Sequence, residues 1–379
     1  MPFDLFDARG WLLLAANQSL EEPAVRERLR LRNEFFADAE VVAFCRPELM
    51  QVLGAAEQEE EPLLASDSTC DWRSLIRLAD TVLAQPDPGG SWVEGVNELH
   101  ARMRSLAVHR WDEALCHLIY QGSRHANDYS SCQALRCALI AGALASTLGW
   151  DALLIEAVEK AALTMNVAMR RLQDQLALQP DASIDQDTRK LIARHSLDGA
   201  KLLLASGVTD HAWLDTVRFH HDSSLEGPPT EQLAPGQRLA LLLRRVDIYS
   251  AMLSRRVTRS ALTPMQAARK ACFGPDGRPD RIGAALLKTI GLYPPGSFVQ
   301  LCNQEKGVVV CRGVRPNEPL VAVLVDAYGE LLPEPRLRDT ARPGRAVRTE
   351  LQADSVVVDP PTATWAALHS LGRKLRRAM

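Results

Sequence analysis

The sequence predicts a mainly α-helical protein, with a central all-α domain between a small N-terminal α+β module and a short C-terminal β appendage. From Trp92 to about Leu287, apolar residues recur at positions i, i+3 and i+4, which is the spacing of amphipathic helices. After the turn at 291–297 the apolar period becomes two, which indicates short strands. With 379 residues, of which 46% are hydrophobic, the chain can form two or three domains.

The N-terminal module is expected at residues 1–56. Hydropathy alternates over 3–20 around a turn ending at Gly10, and this pattern predicts a hairpin. Residues 22–36 are predicted to form a helix, because apolar side chains recur among charged ones. Residues 41–44 are predicted to form a further strand.

The boundaries of the remaining regions follow from breaks in composition. An acidic run ends at Pro62, and a second break rich in Pro and Gly lies at 85–90, so the region around them is expected to be a solvated linker. The expected ranges are therefore a linker region at 57–91, the helical domain at 92–290, the β-rich extension at 291–352 and a C-terminal amphipathic helix at 353–379.

Composition excludes several classes of protein. The formal net charge of −3 argues against a general nucleic-acid binder, so no DNA partner is expected. The eight cysteines lack CxxC spacing and are typical of reduced, buried thiols rather than a disulfide framework. No segment approaches about 18 uninterrupted apolar residues, and the N-terminus has no basic, apolar leader. The sequence therefore predicts a cytoplasmic protein without a membrane span.

The adjacent histidines His220 and His221 give the strongest chemical signal. Within a continuous helix they would diverge by about 100°, so they can share a ligand only where a helix ends, as the loop composition of 222–228 predicts. His195 and Asp247 lie about 25 residues to either side, on patterns that place them on neighbouring helices. Such ligands suit Zn, Mn or Fe, which activate water for attack on phosphates. These four residues are the candidate metal ligands; a packing or capping pair of histidines is the alternative.

The order of these residues resembles the HD-GYP family, helical metallophosphodiesterases that hydrolyse cyclic di-GMP. The resemblance covers about 110–300 and includes a basic strip of Arg255, Arg256 and Arg259, which are candidate ligand-binding residues because guanidinium groups bind phosphates bidentately. A solvent-facing charged helix is the alternative interpretation of the strip. The turn at 292–297 with its following strands looks like an extension found behind such domains.

The departures from the family pattern fall on the expected metal site. The resemblance places the name-giving His-Asp pair and a following Lys at Met165, Asn166 and Met169. It places a metal-binding His at Gln133 and a Glu at Tyr129. Asn can coordinate a metal weakly but cannot offset divalent charge. The loop after the histidine pair also lacks the family's Gly-Tyr-Pro triplet, so no catalytic residue is assigned.

The resemblance and its departures together predict a catalytically inactive, HD-GYP-like regulatory protein of bacterial cyclic di-GMP signalling. It would bind a signalling partner, such as a GGDEF-type diguanylate cyclase, or cyclic di-GMP itself, and family habit implies a homodimer. The alternative is a metal-dependent phosphohydrolase or cyclic di-GMP phosphodiesterase with a reduced metal site. No cofactor is expected beyond one weakly held divalent transition metal: Fe, Mn or Zn.

Overall fold

The chain divides into two compact units, which are described separately. The computed structural model describes residues 5–6, 12–14, 68–84, 86–87, 90–181, 183–226, 230–273, 277–356, 360 and 362–378. One unit comprises Met1–Asp71 with Asp359–Met379, and the other comprises Trp72–Val358. The second unit thus contains both the helical range and the β-rich range expected from the sequence. Across the described residues, no helix combines the length and the apolar character needed to cross a membrane.

The first unit contains a short hairpin near the N-terminus. Strands β1 (Leu5–Phe6) and β2 (Leu12–Leu14) pair antiparallel, with Leu5 opposite Leu14. The helix predicted at 22–36 and the strand predicted at 41–44 lie outside the described residues.

The first unit also contains the C-terminal helix, Thr362–Ala378. This helix lies within the expected range 353–379 and follows Pro360 and Pro361, which have no backbone N–H to donate within a helix. On it, the rings of Trp365 and His369 stack with centroids 6.0 Å apart.

The second unit is built mainly from helices. In chain order they are α1 (Ser68–Ala84, which belongs to this unit from Trp72 onwards), α2 (Trp92–Arg124), α3 (Tyr129–Thr147), α4 (Ala152–Thr164), α5 (Arg170–Leu178), α6 (Gln186–Ala205), α7 (His211–Phe219), α8 (Pro235–Met252), α9 (Pro264–Cys272) and α10 (Arg281–Ile290). The fold is therefore mainly α, as predicted.

Helix α1 corrects the linker predicted at 57–91, because it occupies the middle of that range. Its inward side chains recur at spacings of three and four residues, which places them on one helical face. They belong to the same buried core as α2: Trp72, Leu75, Ala79 and Leu83. The acidic run before the helix and the Pro- and Gly-rich break after it hide this pattern in the sequence.

Helix α3 lies at the centre of the helical core. Its residues are apolar and buried on almost every side, as expected for a helix surrounded by others. Helices α2, α4, α5, α8 and α10 pack against it. Within this apolar environment the helix carries the buried polar side chains of Gln133 and Arg136, besides two buried serines in its first turn.

A five-stranded antiparallel sheet follows the helices. Its strands are β3 (Phe298–Leu301), β4 (Lys306–Cys311), β5 (Leu320–Val325), β6 (Leu331–Asp339) and β7 (Val347–Leu351), in the spatial order β6-β5-β4-β3-β7. The central strand β4 and its neighbour β5 are almost fully buried.

The sheet is joined to helix α2 by buried polar contacts. Asp112 accepts hydrogen bonds from the backbone N and the Nε of Arg312, at 3.1 and 2.6 Å. Gly296, with a φ of 92°, lies so close to α2 that a Cβ would be 2.7 Å from the carbonyl oxygen of Cys116. Farther along the sheet, the Glu350 carboxylate accepts from the backbone N of Met265 at 3.0 Å.

Candidate metal centre

Three histidines from two helices form the candidate centre. His195 lies within α6, while His220 and His221 follow directly after α7, which ends at Phe219. Because the helix ends there, the two adjacent imidazoles need not diverge, as the loop composition predicted. Asp210 fixes the start of α7 by accepting hydrogen bonds from the first turn, so the short helix is anchored before it delivers the pair.

The imidazoles of His195, His220 and His221 converge. The Nε2 atoms of His195 and His220 are 3.2 Å apart, and one potential ligand atom from each of the three rings lies within 4.8 Å of the others. His195 and His220 are buried, whereas His221 is exposed, so the cluster is open on one side. Among the described residues, this is the one group of three or more His, Cys, Asp or Glu side chains with metal-binding spacing.

Backbone carbonyls determine which nitrogen of each buried ring carries the proton. The Nδ1–H of His195 donates to the Ile192 carbonyl at 2.5 Å, and that of His220 donates to the Val217 carbonyl at 2.6 Å. In the neutral rings, both facing Nε2 atoms therefore carry lone pairs, which repel unless a cation lies between them. Their spacing is close to the ~3.3 Å between two tetrahedral ligands at 2.0–2.1 Å from one ion. The donor set thus fits a divalent transition metal.

Burial also keeps these rings in the form that binds metal. Complete burial lowers the pKa of His220 well below its ordinary value, and the neighbouring histidines lower it further. Burial likewise lowers the pKa of His195 and of His221, against an opposing effect from the Asp247 carboxylate. The imidazoles are therefore neutral near pH 7, as a ligand to a cation must be.

The fourth candidate ligand, Asp247, lies outside the close histidine group. It is near enough for its charge to influence His195 and His221. Its Oδ1 accepts a hydrogen bond from the side-chain Nε2 of Gln133 at 2.9 Å. Gln133 therefore occupies the position where the resemblance expects a metal-binding His and directs an amide towards Asp247 instead.

The positions expected for the His-Asp pair and the Lys carry no ionisable group. Met165 follows the end of α4 and is part of the hydrophobic core. Asn166 precedes a short 3₁₀ turn, Val167–Met169, which contains the third position. This segment supplies no carboxylate that could bridge two divalent ions.

The arginines of the predicted basic strip each have a partner within the protein. Arg255 forms an ion pair with Asp354. Arg256 lies over the ring of Tyr129, 5.2 Å from its centroid, and donates to its hydroxyl at 3.1 Å. Arg259 donates to the backbone carbonyl of Ala251 at 2.9 Å. The strip is thus partly engaged in holding the loop after α8.

Arg136 is a site residue that the sequence analysis did not identify. Its side chain is fully buried on α3 and donates to the Oε1 of Gln133 at 3.0 Å. The available signal was an arginine three residues after Gln133 in an otherwise apolar helix, since a charged side chain is buried only when it has hydrogen-bond partners.

Comparison with known proteins places these features in context. No protein-family model matches the chain. The chain is 25% identical over 265 residues to the cyclic di-GMP phosphodiesterase PA4108 of Pseudomonas aeruginosa, across 69% of this chain and 61% of that relative's length. A solved structure, Bd1817, a HDG"Y"P protein from Bdellovibrio bacteriovorus, aligns with a TM-score of 0.45 and 16% identity, over 76% of this chain and 94% of its own.

Two features of the sequence point to the same relationship. The histidines and Asp247 occur in the order that resembles the HD-GYP family, and the sequence is similar to that of a cyclic di-GMP phosphodiesterase. The chain is thus similar to HD-GYP proteins.

Proposed function

We propose that the chain is a catalytically inactive regulatory protein of cyclic di-GMP signalling, which holds one divalent transition metal at its histidine cluster. The observation that carries the proposal is the contrast between two halves of the site. His195 and His220 converge with their Nε2 lone pairs facing, whereas Met165 and Asn166 stand where a second set of ligands would be needed.

The cation would be held by His195, His220 and His221, with Asp247, whose charge acts on His195 and His221, as the candidate carboxylate ligand. When bound, such an ion supplies Lewis-acid polarisation of a phosphate or a water. The protein fixes the buried imidazoles through the carbonyls of Ile192 and Val217. Carbonyl partners of this kind orient metal-binding histidines, and their loss typically reduces metal affinity 10–100-fold.

The same residues argue against two-metal hydrolysis. A two-metal site places ions about 3.5–4 Å apart and needs ligands on both, usually with a shared carboxylate. Asn166 offers a neutral amide in place of that carboxylate, and Gln133 directs its amide N–H to Asp247 rather than a lone pair to a metal. The residues present therefore support one ion.

The regulatory role would be exerted by binding. The name of the Pseudomonas aeruginosa relative points to cyclic di-GMP as the first ligand to examine. A GGDEF-type diguanylate cyclase domain is the protein partner we propose, and a homodimer is the assembly we propose. Because His221 is exposed, a ligand or partner can reach the cluster from that side.

The decisive experiment combines an activity assay with a measurement of the metal content. The purified full chain is loaded with Mn(II) or Fe(II) and incubated with cyclic di-GMP, and the nucleotide products are separated and quantified. We expect no turnover above that of the chelator-treated chain, with one metal per chain by elemental analysis. Turnover that is lost in His220→Ala would overturn the proposal of an inactive protein.

A second candidate is a phosphodiesterase that works with a reduced, single-metal site. The histidine cluster favours it, because three imidazoles leave coordination positions free on one ion. The same assay separates the two candidates. A rate of hydrolysis that rises in proportion to the metal content would support the phosphodiesterase, whereas metal binding without hydrolysis would support the regulatory protein. If the purified protein contains no metal and also fails to take up added metal, both candidate functions are excluded.

A further inference from the structure

We propose that Arg136 and Gln133 are positioning residues that hold the Asp247 carboxylate towards the histidine cluster. The proposal rests on the cation centre proposed above and extends it to residues that touch neither the cation nor a substrate. It assigns a role to a fully buried arginine and to a glutamine that stands where the family resemblance expects a ligand.

The first observation is the environment of Arg136. The side chain is 0% exposed. Its nitrogens donate to the hydroxyl and carbonyl of Ser250, to the carbonyl of Leu118, to the hydroxyl of Ser254 and to Gln133. Within the described residues it forms no ion pair with a carboxylate. Because a buried charge is costly unless it is paired or well hydrogen-bonded, this network fixes the guanidinium in one place.

The second observation is that the amide of Gln133 has only one favourable orientation. Its Oε1 accepts from the Arg136 guanidinium at 3.0 Å, so its Nε2 faces Asp247. That Nε2 donates to Oδ1 of Asp247 at 2.9 Å and lies 3.4 Å from the backbone carbonyl of the same residue. A reversed amide would set an NH₂ group against the guanidinium and an oxygen against the carboxylate.

Together these contacts form a polarised chain from a buried cation to a carboxylate. The guanidinium polarises the Gln133 amide, and the amide donates to Asp247, which strengthens both hydrogen bonds in a low-dielectric core. The bond to Oδ1 restricts rotation of the carboxylate. Asp247 is close enough to interact with the charges of His195 and His221. Gln133 therefore does not act as a metal ligand itself. Together with Arg136 it holds Asp247, which is a candidate ligand.

The test uses cobalt(II) as the probe, because its visible absorption reports the geometry of its ligands. The chelator-treated full chain, Gln133→Met and Arg136→Met are titrated with cobalt(II). We expect one cobalt per wild-type chain, a 10–100-fold weaker affinity in Gln133→Met, as for loss of other outer supports of a metal site, and an altered absorption band. The double variant should lose little more than either single variant, because both break one chain.

Ser250→Ala is the matched control, since it removes a hydroxyl that accepts from Arg136 but leaves the contact between Arg136 and Gln133. We expect it to lower the melting temperature while keeping cobalt affinity and spectrum. If Gln133→Met binds cobalt like wild type, or if Ser250→Ala loses as much affinity, the positioning role is overturned. Gln133→Met carries the test where Arg136→Met fails to fold.

A metal-independent measurement separates this inference from the proposed cation centre. In the chelator-treated chain, the side-chain amide hydrogens of Gln133 should exchange with solvent slowly in wild type and faster in Asp247→Ala. Wild type that binds no cobalt but shows this difference defeats the cation centre and leaves the positioning of Asp247 standing. Equal exchange in the two proteins overturns the positioning role itself.

Discussion

A Cβ on Gly122 of α2 would lie 2.5 Å from Nη1 of Arg136 on α3. No real side chain tolerates that distance, and the guanidinium cannot move aside without breaking the hydrogen bonds that hold it. The absence of a side chain at residue 122 is therefore what admits a buried arginine beside the helix.

Gly122→Ala should accordingly destabilise the protein, although alanine is a better helix former than glycine. We expect the free energy of unfolding to fall by about 1–3 kcal/mol, the usual cost of overpacking a core. Chemical denaturation followed by circular dichroism measures it. Gly95→Ala on the same helix is the control, because its Cβ would meet only Val82 side-chain carbons, the nearest at 3.6 Å; it should be neutral or gain up to about 1 kcal/mol. Equal effects at both positions would contradict the steric account.

Metal binding should stabilise the fold, because the repelling Nε2 atoms of His195 and His220 gain a shared cation. At a free Zn(II) concentration about 100 times the dissociation constant, the expected gain is about 2.7 kcal/mol. A thermal shift assay with and without chelator detects it, and His195→Ala should abolish the shift. His211→Ala, at an exposed position on α7, should keep it. A shift that survives in His195→Ala would place the metal elsewhere.

The buried pair of His100 and Glu159 should contribute strongly to stability. The His100 Nε2 and a Glu159 carboxylate oxygen are 2.6 Å apart, and both residues are buried. Removing one partner with His100→Ala leaves the buried Glu159 carboxylate with only a longer contact to Arg104, at 3.6 Å, and we expect a loss of up to about 3–5 kcal/mol in urea denaturation. Lys190→Ala, which removes an exposed ion pair with Asp187, should cost less than about 1 kcal/mol. A loss below that control value would show that the buried pair is dispensable.

Glu305 should make the sheet sensitive to acid. Arg338 donates to both of its carboxylate oxygens, at 2.8 and 2.9 Å, and these hydrogen bonds lower the pKa of Glu305 in the folded protein. A lowered folded-state pKa means that the stabilisation is present above the unfolded value of about 4.3 and is lost as the pH falls through the folded value.

Glu305→Gln should therefore be less stable than wild type at pH 7, and the difference should shrink as the pH falls below about 4.3 and through the lowered folded-state pKa of Glu305, where the wild-type carboxylate becomes protonated. Urea denaturation of both proteins at several pH values gives the difference directly, and effects of other carboxyl groups cancel. Glu330→Gln, at an exposed turn position, should follow wild type throughout. A difference between wild type and Glu305→Gln that is constant with pH would show that the lost ion pair is not responsible.

Local patterns were sufficient to predict the helical fold and the convergence of the histidines. The polar and Pro-containing residues after His221 signal a helix end, and a helix end is the local condition that lets His220 and His221 face the same space. The spacing to His195 then requires only that two consecutive helices pack antiparallel. Helix α1 was missed because its inward residues lie between an acidic run and a turn-rich break, and the composition of these flanking segments hid the helical periodicity.

The supporting contacts could not be predicted, because they join residues far apart in the chain. Gln133 and Asp247 are separated by 114 residues, and Arg255 and Asp354 by 99. Whether a glutamine on an apolar helix is a lost ligand or a hydrogen-bond donor depends on the partner that tertiary packing brings to it. The same holds for Arg136, whose partners come from three helices and the loop after α8.

The junction of Asp112 with Arg312 and the close approach of Gly296 to α2 mean that the sheet cannot be cut away as a separate module. A chain ending at residue 290 would lose Arg312, which donates to Asp112, and would expose the surface of α2 that Gly296 covers. The helices and the sheet of the second unit should therefore unfold in one cooperative transition. A substitution that unfolds the sheet would then also unfold the histidine cluster, although none of the cluster's own residues is changed.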